Sequence, residues 1–317
     1  MQLPLTQPLV FEPIFKERIW GGRRLESAFG KKLPPGKQIG ESWEIVDRPE
    51  AQSLVRHGPL RGQTLHQLWL DHRREIFGDE IVDAPRFPIL AKLLDAREKL
   101  SLQVHPSAEV ASAVNGEAKS EIWYFVAADA GAEIHAGLRR GVQRSQFERA
   151  VHDGNAANLV HRIEAKTGDA FFVPGGRLHA IGSGNLLVEI QQNSDTTYRV
   201  FDWDRKDNNG LSRQLHMAQS MRAINFNDFE PEIICPGGEQ LMQCPHFVVE
   251  KWNLDSARAA SHRRAFALFV CLSGEVEADA TRMQPGDFFL VPAIAAGMEL
   301  KPVVAATSLL RVTFPDR

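Results

Sequence analysis

The sequence has 317 residues, of which 43% are hydrophobic and 24% charged, and its 37 basic and 40 acidic side chains give a net charge of −3. This length predicts two domains, and the charge argues against a globally basic surface for nucleic acid or an anionic membrane. Since no apolar run is long enough to span a membrane, residues 1–8 lack a secretory signal and the three cysteines form no CxxC pair, we expect a cytoplasmic protein without membrane or nucleic-acid partners.

Short apolar or alternating segments, separated by Gly and Pro turns, predict an all-β fold of the sandwich or barrel type. The predicted strands cover residues 122–127, 170–173, 186–190, 247–254, 265–272 and 287–291. Helices are few and peripheral. They are predicted over 64–77 behind a Thr64 cap, over 107–114 before Asn115-Gly116, from a Ser145–Glu148 capping box to about Gly154, and over 212–223.

One segment repeats within the chain. Gly168-Asp-Ala-Phe-Phe-Val-Pro174 recurs as Gly286-Asp-Phe-Phe-Leu-Val-Pro292, an offset of 118 residues. Such a spacing predicts two copies of one small β-domain. With 228–238 as the linker, the expected domains are residues 1–227 and 228–317.

Four side chains have the chemistry and spacing of a metal site. Gln103 and His105 are two residues apart on a predicted strand and so point to one side; Glu121 follows, and His179 comes after a Pro174-Gly-Gly176 turn. Two imidazoles, a carboxylate and an amide oxygen suit zinc, or alternatively iron, manganese or cobalt. This set would leave a divalent ion with a residual positive charge, as a Lewis acid requires.

These motifs resemble those of the cupin superfamily and, more specifically, the short bacterial form of type I phosphomannose isomerase. The matching stretches are Ile19-Trp-Gly-Gly22, Gly40-Glu-Ser-Trp-Glu-Ile45, Phe87-Pro-Ile-Leu-Ala-Lys92-Leu-Leu-Asp95, Leu100-Ser-Leu-Gln-Val-His-Pro106, Lys119-Ser-Glu-Ile-Trp-Tyr124 and Glu189-Ile-Gln-Gln-Asn-Ser-Asp-Thr-Thr-Tyr-Arg199-Val-Phe-Asp-Trp-Asp204. They occur in the family's order, and the last is highly specific. Ile122 and Ser183 depart from residues common in the family.

The resemblance implies a fold of two jelly-roll (cupin-like) β-barrel domains with a few peripheral helices. It implies one Zn²⁺ per chain, held by Gln103, His105, Glu121 and His179, and interconversion of mannose 6-phosphate and fructose 6-phosphate. Residues 228–317 would be a metal-free copy, because Ala-Ile-Ala-Ala-Gly follows Pro292 where a histidine would be needed.

The isomerase reaction needs a base, a group that stabilises the enediolate, and a phosphate site. Glu189 and Lys119 are the candidates for proton transfer, and the sequence does not choose between them; Glu189 could instead orient a metal-bound histidine. The resemblance makes Arg199 an active-site residue, and because an arginine stays protonated we expect electrostatic stabilisation or phosphate pairing from it, with Asp195 orienting it.

The phosphate of the substrate would be bound by side chains, because the sequence contains no nucleotide-binding glycine loop. The resemblance suggests Lys92, Ser101 and Arg205 for this role. Two other readings remain open, namely an iron-dependent cupin dioxygenase and a non-catalytic sugar-binding cupin. The expected ligand is a small sugar phosphate, and the chain could be a monomer or a homodimer.

Overall fold

The computed structural model of the chain describes residues 7–79, 83–206 and 210–315, and strands predominate in it, as the sequence predicts. Sheet I has six strands, in the spatial order Ala170–Val173, Glu121–Ala128, Asn185–Gln192, Ile89–Ala96, Ile39–Ile45 and Ile14–Gly22. Sheet II has the order Val160–Glu164, Glu133–Leu138, His179–Ile181, Leu102–Val104 and Tyr198–Phe201. The expectation about a secretory signal depends mostly on residues 1–6, which lie outside the described residues.

The C-terminal part of the chain builds two further sheets. Sheet III has the order Leu9–Val10, Phe288–Val291, Ala267–Ser273, Thr307–Thr313, Val248–Leu254 and Gln240–Gln243. Sheet IV has the order Arg258–Ala259, Glu299–Pro302, Val276–Ala278 and Thr281–Met283, and Asp47–Arg48 pairs separately with Ala51–Gln52. The sheets are open, and the closed barrels implied by the sequence are not found among the described residues.

Alternation of side chains along the strands stacks the sheets in the order II, I, III, IV. On the strand Asn185–Gln192, Val188 and Ile190 join a core shared with sheet III, while Leu187 faces the opposite way into a core shared with sheet II. Leu268 and Phe269 divide in the same manner between the core that sheet III shares with sheet I and the core that it shares with sheet IV. Because neighbouring residues of a strand point to opposite faces, one apolar run supplies two cores.

The predicted strands are confirmed, with ends that move by one or two residues, and 170–173 matches without change. Both copies of the repeat adopt the same local structure. Gly168 and Gly286 have φ of +93° and +85°, and each is followed after one residue by a four-residue strand. Glycine suits this turn because other residues rarely adopt a positive φ.

The described helices are Arg24–Phe29, Leu65–Asp71, Arg73–Phe77, Ala108–Ala111, Arg144–His152 and Met217–Ala223, with 3₁₀ turns at Ser112–Val114, Ala156–Leu159 and Ala293–Ala295. The Thr64 cap is confirmed, since its hydroxyl accepts from the Gln67 amide at 3.0 Å, although the helix is interrupted at His72. The predicted start at 212 is wrong, because this helix begins at Met217.

The capping box predicted at Ser145 is also wrong. Ser145 lies inside the helix Arg144–His152, and the box is formed by Gln143 and Gln146. No described helix is long and apolar enough to cross a membrane.

Candidate metal centre and active-site pocket

A cavity of about 460 Å³ opens between sheets I and II. Strand register brings the candidate residues to it: in sheet II, Gln103 lies opposite both His179 and Arg199. In sheet I, Glu189 lies opposite Lys92 on one side and Trp123 on the other. The cavity is therefore lined from two facing sheets by residues far apart in the sequence.

Three of the four predicted metal ligands converge beside this cavity. The potential ligand atoms of His105, Glu121 and His179 lie within 4.8 Å of one another, and all three residues are at most 1% exposed. Nε2 of His105 is 3.4 Å from one carboxylate oxygen of Glu121, and Nε2 of His179 is 3.6 Å from the other. The structure thus brings together the group that the sequence singles out.

Both imidazoles are oriented for metal binding by the backbone. Nδ1 of His105 is 2.8 Å from the carbonyl oxygen of Thr196, and Nδ1 of His179 is 2.9 Å from that of Arg177. Because a carbonyl only accepts, each Nδ1 must carry the proton, which leaves the Nε2 lone pair facing Glu121.

The surroundings keep these histidines neutral, as metal ligands must be. Burial, with a smaller contribution from His105, lowers the pKa of His179 to about 3. Burial and the Lys119 ammonium also lower the pKa of His105. Two neutral imidazole lone pairs and one carboxylate, all buried and converging, are a donor set that fits a divalent metal of the zinc type.

Gln103, the fourth predicted ligand, is adjacent to the other three. Its amide oxygen accepts from the Ser101 hydroxyl at 3.1 Å, and its amide nitrogen is 3.3 Å from Nε2 of His179. Ligation through oxygen requires the amide to be turned by 180°, which exchanges the positions of its oxygen and nitrogen. After that turn the Ser101 hydroxyl would accept from the amide nitrogen.

Alternating charges connect the mouth of the cavity to the candidate metal centre. This row of charged side chains begins with the pair Arg18 and Glu41, at 2.7 Å. It continues from Glu41 to Lys92 at 3.6 Å and from Lys92 to Glu189 at 3.0 Å. From Glu189 it passes to Lys119 at 3.5 Å, and Lys119 is 2.8 Å from Glu121. Buried charges are tolerated where each has a partner of opposite charge. Each charged side chain between Arg18 and Glu121 in this row has two such partners.

The two carboxyl groups in the middle of this row, those of Glu41 and Glu189, differ in pKa. Burial alone would raise the pKa of Glu41, but Lys92 and Arg18 reverse the effect and lower it to about 2. Burial and the charge of Glu121 raise the pKa of Glu189 to about 7, although Lys92 and Lys119 oppose the rise. Glu189 is consequently the carboxyl of the cavity that can gain and lose a proton near neutral pH.

Arginines line the other end of the cavity. Arg199 donates to the carbonyl of Gln214 at 2.8 Å, and its buried Nε has no hydrogen-bond partner among the described residues. Arg213, which sequence reasoning missed, also lines the cavity and forms a two-pronged pair with Asp202 at 2.8 and 2.5 Å. Arg213 lies beyond the matching motifs, so no signal in the sequence marks it.

The remaining predicted residues differ in how they lie relative to the cavity. Lys92 is deeply buried between Glu41 and Glu189. Ser101 and Asp195 line the cavity, but Arg199 is held by a backbone carbonyl rather than by Asp195. Arg205 lies outside the cavity lining and donates to the carbonyl of Lys99.

Comparison with known proteins gives consistent matches. Residues 9–130 match the family described as phosphomannose isomerase type I, catalytic domain. The chain is 40% identical over 280 residues to mannose-6-phosphate isomerase ManA of Bacillus subtilis, covering 85% of this chain and 87% of that protein. It is 39% identical over 302 residues to a probable mannose-6-phosphate isomerase, GmuF, of the same organism, covering 91% and 94%.

The fold also matches a solved structure. A crystal structure of mannose 6-phosphate isomerase from Bacillus subtilis superposes with a TM-score of 0.86 at 33% identity, covering 97% of this chain and 99% of that one.

Proposed function

The chain belongs to the type I phosphomannose isomerase family, and from this we propose that it is an aldose–ketose isomerase whose active site is the cavity between sheets I and II. Its reaction interconverts mannose 6-phosphate and fructose 6-phosphate. One observation carries the assignment of the site: His105, Glu121 and His179 converge beside a cavity that is also lined by Glu189, whose pKa is raised, and by Arg199 and Arg213.

We assign the metal to His105, Glu121 and His179, with Gln103 as a fourth ligand once its amide is turned. Zinc fits this donor set, and one bound ion per chain would polarise the carbonyl or a hydroxyl of the sugar. The Nδ1 hydrogen bonds to Thr196 and Arg177 support the assignment, because such partners hold metal-binding imidazoles in orientation.

Glu189 is the proposed proton-transfer residue. Isomerisation takes a proton from C2 of the aldose and returns it to C1, so one group must accept and then donate it. A carboxyl whose pKa lies about 7 can do both near neutral pH. Lys119 lies between Glu189 and Glu121, and we assign its ammonium to stabilising negative charge on the enediolate oxygens.

The substrate phosphate would lie at the arginine end. Arg199 and Arg213 line the cavity there, and Asp202 neutralises one of the two charges. A net positive charge with an unpaired, buried guanidinium Nε on Arg199 suits a dianion. Lys92 is less suited to this role because two carboxylates already surround it, and Arg205 would act from behind the cavity wall.

We further propose that residues 1–227 and 228–317 are two units of the jelly-roll type, the second without a metal. The matching Gly-strand segments at 168–174 and 286–292 support this division. One strand of the first unit belongs to a sheet of the second, because Leu9–Val10 pairs with Phe288–Val291 in sheet III. A reducing, cytoplasmic location is also part of the proposal, since Cys235, Cys244 and Cys271 are all unpaired.

The decisive experiment is conversion of mannose 6-phosphate to fructose 6-phosphate by the purified chain, before chelation, after chelation and after zinc is restored. We expect activity that chelation removes and zinc recovers, and loss of both bound zinc and activity in His179→Ala. An inert zinc-loaded protein would contradict the isomerase assignment. Full activity in His179→Ala would instead contradict the assignment of the site.

A further inference from the structure

A second polar depression lies on the outer face of sheet II, away from the active-site cavity. It measures about 720 Å³, within the range of small-molecule sites, and is lined by Lys99, Glu133, His135, Arg139, Arg162 and Trp203 among others. His135 and Arg162 are cross-strand partners, so their side chains lie on one face of the sheet. We call this region the basic depression.

Positive charge is in excess here. Three cationic side chains face one carboxylate, Glu133, which accepts a two-pronged pair from Arg162, with the Nε contact at 2.9 Å. Arg139 is exposed, and its contact with protein is a long one of 3.4 Å to the carbonyl of Asn158. Among the described residues, the depression therefore retains two net positive charges and a guanidinium with few protein partners.

Aromatic and imidazole groups form the floor. The Lys99 ammonium lies 3.9 Å from the centre of the Trp203 ring, and the His135 ring is 5.6 Å from the same indole. The His135 side chain is only 8% exposed, yet its Nδ1 has no hydrogen-bond partner among the described residues. Because this nitrogen is closed off from solvent, His135 contributes its ring to the floor rather than a hydrogen bond to a ligand.

The floor is joined to the active site by short backbone contacts. Trp203 and Asp204 both have positive φ, of 57° and 53°, which is unusual for two consecutive residues that are not glycine. The Trp203 indole donates to the carbonyl of Leu100 at 2.7 Å, and Arg205 donates to that of Lys99. Residues 99–100 lead directly into Ser101 and Gln103 of the catalytic cavity.

We propose that the basic depression is a second, non-catalytic site for a small phosphate-bearing anion. The phosphate would be bound by Arg139 and Lys99, with the His135 imidazole beneath it, and binding would hold the Trp203–Asp204 turn in its left-handed conformation. The shared ligand chemistry is a phosphate group, which either free inorganic phosphate or a phosphate ester supplies.

Titration calorimetry of the zinc-loaded full chain with pyrophosphate tests the proposal, at about 0.15 M salt so that distant charges are screened. We expect two sites per chain, one in the catalytic cavity and one in the basic depression. Arg139→Ala should weaken one of them about tenfold or more, since a charge-assisted hydrogen bond is lost. Isomerase activity without pyrophosphate should not change.

Arg140→Ala is the matched control. Arg140 is the next residue, is 80% exposed in its side chain, and pairs with Glu230 outside the depression. It removes the same charge and should leave both sites intact, whereas Arg213→Ala should weaken only the catalytic one. If Arg139→Ala weakens no site, or if Arg139→Ala and Arg140→Ala have equal effects, the proposal is overturned; loss of only the site that Arg213→Ala affects would count against the proposed active site instead.

Two further titrations of the wild type separate the ligand sources. Inorganic phosphate and adenosine 5′-monophosphate are compared at the site that Arg139→Ala weakens. Equal affinities would assign the site to free phosphate, and tighter binding of the ester would assign it to phosphate esters.

Discussion

Replacing Glu189 with glutamine tests the proposed chemistry with little change of shape. The substitution removes one negative charge that lies 3.0 Å from Lys92 and 3.5 Å from Lys119. Each ammonium keeps another carboxylate, Glu41 at 3.6 Å for Lys92 and Glu121 at 2.8 Å for Lys119. We therefore expect Glu189→Gln to fold and to bind zinc.

The expected loss is in kcat. A positioned acid–base residue typically contributes about 10²- to 10⁴-fold to a proton transfer, and an amide cannot carry the proton between two carbons. KM should change much less, because the arginines at the other end of the cavity are untouched. The pH profile should change as well: the base must be ionised, so wild-type activity should rise with pH as the Glu189 carboxyl, whose pKa is raised by burial, loses its proton. That acid limb should be absent from Glu189→Gln.

The assay is initial-rate isomerisation across pH 5 to 9, with zinc content measured on each preparation. Glu44→Gln is the matched control, because Glu44 is also buried and ion-paired, at 2.8 Å from Lys31, but lies outside the cavity lining. It should keep kcat within a few-fold of the wild type. Glu189→Gln with bound zinc and a kcat within tenfold of the wild type would refute the assignment of Glu189 as base.

Three further substitutions test other parts of the structure. Arg213→Ala should raise KM for mannose 6-phosphate about 10- to 100-fold, measured from initial rates, because one charge-assisted phosphate contact is lost; an unchanged KM would contradict its role. Gly175→Ala should weaken zinc binding about tenfold or more in a chelator competition, because its Cβ would lie 2.7 Å from the Cα of Ser107, two residues after the ligand His105. Thr64→Ala should lower the free energy of unfolding in urea by about 1 kcal/mol through loss of the helix cap, without changing kcat.

The candidate metal ligands could be picked out from the sequence because their signals are local. Gln103 and His105 are two residues apart, and the turn before His179 is written in the sequence as Pro-Gly-Gly. The orientation of His105 was not predictable, since it depends on the Thr196 carbonyl, which lies 91 residues away.

The row of charged side chains from Arg18 to Glu121 was predicted only in part, because it too depends on contacts between residues far apart in the sequence. Glu41 is buried, as are all residues of its strand, and its partners Arg18 and Lys92 lie on two different strands. Only the strand order of sheet I brings these residues together. The capping box was predicted wrongly because two overlapping residue pairs, Gln143/Gln146 and Ser145/Glu148, have the same spacing. The local pattern could not decide which pair begins the helix.

The order of the layers shows what residues 228–317 contribute to the fold. Between sheets I and II the interior contains buried ions, and burying charges contributes little net stability even where they are paired. Between sheets III and IV the corresponding space is filled by aromatic rings: Phe269 stacks on Phe289 at 5.2 Å, and Trp252 packs on Phe269 at 5.6 Å.

Every described residue that lines the cavity between sheets I and II comes from the first 213 residues, yet the apolar face of their strands depends on the remainder. Val188 and Ile190 flank Glu189 on its own strand and point away from the cavity into the core shared with sheet III. Fixing these two neighbours against sheet III fixes the direction of the Glu189 side chain, since adjacent residues of a strand point to opposite faces. Residues 228–317 thus position the Glu189 carboxyl, the proposed base, from behind through an apolar surface.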